Sequence, residues 1–180
     1  NFDVLGKCKS LEKMTALILS ELDNFFDKLR PDMVFVQGDT ITALAGALCA
    51  FFKNIPVAHV EAGLRTESIF SPFPEEANRR MISQLTSLHF APTKLASENL
   101  IKNGIKENIF VSGNTVVDSL NLVSEKKENF RLEGIDIFSE KFILITVHRR
   151  ENWGEPLKNI SKAILNVVDK NHGIKAVSYT

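Results

Sequence analysis

The chain has 180 residues, 44% hydrophobic and 24% charged, which is the balance of a folded globular chain holding one domain or the parts of two, not of a disordered segment. Its 22 basic and 22 acidic side chains cancel to a formal charge of zero and neither sign is massed in a tail or stripe, which removes the electrostatic case for nucleic acid or a membrane surface as partner. The most apolar stretch, 41–52, is followed by Lys53 and falls short of the roughly 20 residues of a membrane span, so it reads as a buried helix.

Cys8 and Cys49 lie far apart in helix-like segments with no CxxC partner, the pattern of reduced thiols in a cytoplasmic protein. The chain opens on Asn1 without a basic, then apolar, leader and enters a helical pattern almost at once, so it reads as a piece of something longer. Leu11, Met14, Ile18, Leu22, Phe25 and Leu29 recur at three- and four-residue steps and predict a helix over 10–29, stopped by Pro31. The run Met33-Val-Phe-Val-Gln37 shows no polar alternation and predicts a strand covered on both faces. After a turn at Gly38-Asp39-Thr40, the small residues of 43–50 predict a helix lying close against a sheet, and 56–61 a second strand.

A loop over 62–74 leads to Pro74-Glu75-Glu76, a helix start with acidic residues at the positive end of the dipole, and a helix over 75–86. Strand 88–91 follows, then a helix capped by Thr93 and ended at Gly104, strand 109–111, and a helix over 116–123. The alternation argues for a parallel, doubly wound α/β sheet. Residues 124–140 turn charged and weakly periodic, as an interdomain linker does. The rhythm restarts with strand 142–147, the turn His148-Arg-Arg-Glu-Asn152, a helix over 155–170 and strand 174–179.

Ligands of open α/β sheets bind beyond the carboxyl ends of the strands. The residues that leave the predicted strands are Asp39, Glu61, the Ser112-Gly113-Asn114 turn, and His148 with Arg149 and Arg150. Asp39 reads equally well as a helix N-cap. Glu61 ends an apolar strand with no basic neighbour, while Glu75 and Glu76 suit a helix dipole. His59 and His89 fall inside predicted strands, where a core role is the default, whereas His148 with two arginines could cradle a phosphate. The four histidines show no HxxxH or HxH spacing, which gives a metal site little support. GxGxxG, GxxxxGK[ST] and GxSxG are missing, so a nucleotide would be held by other means and the common serine hydrolase layout is out.

Five ordered motifs carry a family resemblance: Gln37-Gly-Asp-Thr40, His59-Val-Glu-Ala-Gly-Leu-Arg-Thr66, Ser71-Pro-Phe-Pro-Glu-Glu-Ala-Asn-Arg79, Ser112-Gly-Asn-Thr-Val-Val-Asp118 and Thr146-Val-His-Arg-Arg-Glu-Asn152. Together, over about 28–166, the sequence resembles the non-hydrolysing UDP-N-acetylglucosamine 2-epimerases. The resemblance implies a glycosyltransferase-B-type fold of two Rossmann-like domains with the UDP-sugar between them. Residues 1–122 would form the N-terminal domain without its first strand, and 123–180 the linker and the start of the second domain. It implies elimination of UDP to 2-acetamidoglucal and re-addition with C2 inverted, in surface-polysaccharide precursor synthesis, with no cofactor and no metal.

By the same resemblance Asp39, Glu61 and Glu75 are the acid/base carboxylates and His148 stabilises the departing diphosphate, with Arg65, Arg79, Asn114, Arg149 and Arg150 binding substrate. UDP-N-acetylglucosamine is implied as substrate and allosteric activator, and a homodimer as the full-length assembly. Family members carry a first strand with a glycine-rich, arginine-containing loop and a uridine-binding segment beyond the last strand here, so residues 1–180 alone are expected to be inactive. Two other readings stay open, a hydrolysing epimerase that releases UDP and N-acetylmannosamine, and a non-catalytic UDP-sugar-binding module.

Overall fold

The computed structural model describes residues 10–125, 134–136, 138–149 and 152–179. Cys8, Arg150 and most of the expected linker lie outside them. The chain divides into two compact units, Asn1–Glu125 and Lys126–Thr180.

In the first unit, α1 (Leu11–Leu29) begins where the Ser10 hydroxyl accepts from Lys13 N, and ends where Arg30 turns left-handed at φ 47° just before Pro31. Its apolar stripe brings Phe26 into a core with Val36, Ala43, Ala47, Cys49, Ala50, Val57 and Ile82. β1 (Val34–Gln37) is followed by α2 (Ile41–Phe52), whose small residues let it lie flush on the sheet. A Cβ on Gly46 would stand 3.3 Å from Val36 Cγ1. β2 (Val57–Val60), α3 (Glu75–Leu85), β3 (Leu88–Ala91), α4 (Lys94–Lys102), β4 (Ile109–Val111) and α5 (Thr115–Glu125) complete the unit. Thr93 caps α4 as its spacing predicts, accepting from Ala96 N at 3.1 Å.

The sheet runs β1-β2-β3-β4, all parallel. Right-handed crossovers taken in one direction put α2, α3 and α4 on a single face, and α1 packs on α2. Val36, His59, His89 and Ile109 stand in register on that covered face. The opposite face differs from the expectation for β1. Phe35 is 65% exposed and Phe110 49%, because sequential strand order sends every crossing helix to the other side, and none of α5's residues is buried.

In the second unit, β5 (Lys141–Thr146) pairs in parallel with β6 (Ile174–Tyr179). Between them α6 (Glu155–Lys170) starts with Pro156 in its first turn and sets Ile160, Ala163, Ile164 and Val167 around the same apolar cleft as Ile143 and Ile145. Among the described residues no helix is long and apolar enough to cross a membrane.

Candidate active site

The four parallel strands of the first unit end at the same edge, and what leaves β1 and β2 is polar. β1 is followed by Gly38, whose N–H donates to Val60 O at 3.1 Å and so continues the ladder by one bond. Asp39 comes next. It does not cap α2, since the cap is Thr40, whose hydroxyl accepts from Ala43 N at 3.2 Å. The Asp39 carboxylate turns instead to α3, where Arg79 donates to Oδ2 through both Nε and Nη2, and Asn78 Nδ2 holds the Asp39 carbonyl at 2.8 Å.

Glu61 leaves β2 with φ at +68°, a left-handed conformation that costs a residue with a Cβ roughly 1 kcal/mol. It is held there from both sides, by the Gly38–Val60 bond and by Ala62 N donating to Phe90 O at 3.0 Å. The bend brings Glu61 Oε2 to 3.6 Å from where a Gly38 Cβ would stand, so the Glu61 carboxylate lies against the turn that carries Asp39. Glu75 opens α3, half-buried, behind Pro74.

The intervening loop is tied down at each end. Gly63, at φ +86°, lies so close to α4 that an added Cβ would meet Ala96 O at 2.2 Å, and Asn99 Nδ2 donates to Gly63 O at 3.1 Å. Arg65 lies along the loop and α3, donating to Leu64 O at 2.8 Å and to Ser83 Oγ at 3.0 Å. Arg79 and Glu76 are buried, and the sequence offered them only a substrate contact and a dipole role. Glu76 receives Arg79 Nη1 and Arg80 Nε, each at 2.8 Å. Asn114 uses its Oδ1 to accept from Val116 N at 3.0 Å, opening α5. In the second unit, His148 follows β5, exposed, with Nδ1 3.4 Å from the Thr146 hydroxyl.

His59 and His89 are core residues, as their place in strands predicts. His59 Nε2 donates to Gly38 O at 2.8 Å and His89 Nε2 to Ser83 O at 3.0 Å. A carbonyl can only accept, so in both rings the proton sits on Nε2. Burial pushes His59 down to about 4 and His89 down as well. The unfolded chain therefore binds more protons than the folded one between pH 4 and 6.5, and stability falls as pH drops through that window. His59 alone is expected to contribute a loss of roughly 3 kcal/mol by the acid end. Denaturant midpoints at about pH 7 and about pH 5 check this, and a His59→Gln variant should lose part of the slope; an unchanged slope would contradict the buried neutral ring.

A family model described as UDP-N-acetylglucosamine 2-epimerase matches residues 2–179. The chain belongs to that family. The Bacillus subtilis UDP-N-acetylglucosamine 2-epimerase is 43% identical over 179 residues, 98% of this chain and 47% of its own length. Among solved structures, the Neisseria meningitidis UDP-GlcNAc 2-epimerase bound to UDP-GlcNAc superposes with a TM-score of 0.83 at 36% identity, over 96% of this chain and 56% of that one. The Methanocaldococcus jannaschii UDP-GlcNAc 2-epimerase in complex with UDP-GlcNAc and UDP gives 0.82 at 40% identity, over 96% and 49%. The chain thus has the α/β fold with parallel sheets of these epimerases, and spans about half the length of the relatives it matches.

Proposed function

We propose that the protein carrying this chain interconverts UDP-N-acetylglucosamine and UDP-N-acetylmannosamine by the non-hydrolysing route. A carboxylate takes the C2 proton, the bond from C1 to the diphosphate oxygen breaks with its electron pair leaving on UDP, and 2-acetamidoglucal remains. UDP then adds back at C1 while a carboxyl group returns a proton to the opposite face of C2. The route needs acid/base groups on both sides of one carbon, and positioned proton transfer contributes roughly 10² to 10⁴ in rate.

The observation that carries this reading is the exit of Asp39 and Glu61 from the same edge of the neighbouring strands β1 and β2, with Glu61 held at positive φ and its Oε2 against Gly38. Backbone strain in a residue with a side chain is commonly kept where a site needs it. Glu75 is the third carboxyl group in this proposal. His148 and Arg149, which follow β5 in the second unit, are assigned the diphosphate, where negative charge grows as the bond breaks. Arg65 and Asn114 are assigned to substrate, as is Arg150.

In deuterated water the complete gene product should exchange the C2 hydrogen of UDP-N-acetylglucosamine for deuterium as the manno epimer appears. Epimer without label at C2 would rule out elimination, and accumulation of UDP with free N-acetylmannosamine would replace it by the hydrolysing reaction.

A further inference from the structure

We propose that Glu76 is a positioning residue for Asp39, acting through Arg79, and that it leaves one particular Asp39 oxygen to do the chemistry. The proposal rests on the assignment of Asp39 as an acid/base group.

Glu76 is wholly buried, at 0% exposure, and among the described residues it is the only carboxylate that is. Compensation of the helix dipole does not ask for burial, and Glu75 already supplies an acidic group in the first turn. A buried carboxylate must instead have both oxygens satisfied, and here they are divided between two cations, Oε2 to Arg79 Nη1 and Oε1 to Arg80 Nε. The consequence falls on Arg79. A guanidinium is planar and its donors form a rigid fork, so pinning Nη1 with Glu76 fixes the direction in which Nε and Nη2 point.

Both of those donors go to a single oxygen, Asp39 Oδ2. No hydrogen bond from a described residue reaches Oδ1, which is the oxygen left for proton transfer. Asn78, one turn along α3 from Glu75, holds the Asp39 main chain at the same time. Two carboxylates face two guanidiniums in this cluster, so Glu76 also takes up a share of the charge that Arg79 would otherwise direct at Asp39 alone. Its other partner, Arg80, donates to Thr66 O at 3.1 Å and carries the same anchor to the loop after β2.

The test uses the complete gene product, with kcat and KM for UDP-N-acetylglucosamine measured on protein whose fold is verified by circular dichroism. Glu76→Gln is expected to lower kcat roughly 10- to 100-fold, as a displaced catalytic group does, with KM changed by less than about threefold. In an Asp39→Asn background the same substitution should add nothing, because the residue it positions has already lost its function. A normal kcat in folded Glu76→Gln protein, or a full loss repeated on top of Asp39→Asn, would overturn the proposal; a merely structural Glu76 predicts one of these. Should Glu76→Gln fail to fold, Arg79→Lys keeps the cation and Glu76 but removes the fork. It is then expected to give the kcat loss with KM held, and normal turnover would overturn the proposal. If the unsubstituted protein forms no epimer, the assigned activity is what has failed.

Discussion

Replacing Asp39 by asparagine should lower epimer formation in the complete gene product by roughly 10² or more while leaving the protein folded. The start of α2 is safe, because Thr40 makes the cap bond. The Asp39 main-chain carbonyl still receives Asn78, and an amide oxygen at position 39 can still accept from Arg79, whose charge keeps Glu76 as partner. The structural cost is a weakened charge-assisted contact, on the order of 2 kcal/mol, and it would show as a lowered thermal midpoint. Turnover per folded molecule separates the two effects. Near-normal turnover would reduce Asp39 to the counter-ion of Arg79.

Gly63→Ala should be among the most destabilising single substitutions in the first unit, at more than about 4 kcal/mol. Two penalties coincide there. The residue sits at φ +86°, and its new Cβ would stand 2.2 Å from Ala96 O, 2.8 Å from Ala96 C and 2.9 Å from Leu100 Cγ. The first two are backbone atoms of a packed helix and cannot turn aside as a side chain can. Gly104→Ala separates the terms, since Gly104 has φ +88° but nothing within 4 Å of its added Cβ. It should cost only the left-handed strain, about 1 kcal/mol. Denaturant midpoints of both variants test the pair. Similar losses at 63 and 104 would mean that the loop after β2 can lift off α4.

The elements were legible because their signals are local. The apolar stripe of 11–29, the cap at Thr93, and the unbroken runs at 57–60 and 88–91 each act within a turn or two of chain. The helix over 41–52 was legible even in its packing, since a run of alanines about Gly46 has little else to do than approach a sheet. The site was legible in position, because strand ends can be counted, and less so in partnership. Whether Asp39 or Thr40 caps α2 is a one-residue ambiguity between two good cap formers, and only the tertiary pull of Arg79, 40 residues on, decides it. Glu61 carries no turn signal, so its positive φ is imposed by the bonds on either side. Arg79 and Glu76 look on paper like exposed charges of an amphipathic helix. Their burial follows from where α3 lands, which no local pattern encodes.

The sheet order β1-β2-β3-β4 is also the order of synthesis. Each of these four strands added to the edge therefore finds its neighbour already made, and among them none has to insert between two others. Chain closure is limited to successive crossovers of moderate length, which keeps the entropy of forming each parallel pair low. The contacts of the site mature on the same schedule. Glu61 can be drawn against Gly38 once β2 has paired, and the Asp39 side chain gains its cation only when α3 has emerged and docked. A nascent chain stalled with residues up to 70 clear of the ribosome should thus hold the β1-β2 edge with Asp39 still unclamped, and one stalled with β3 clear as well should hold it clamped.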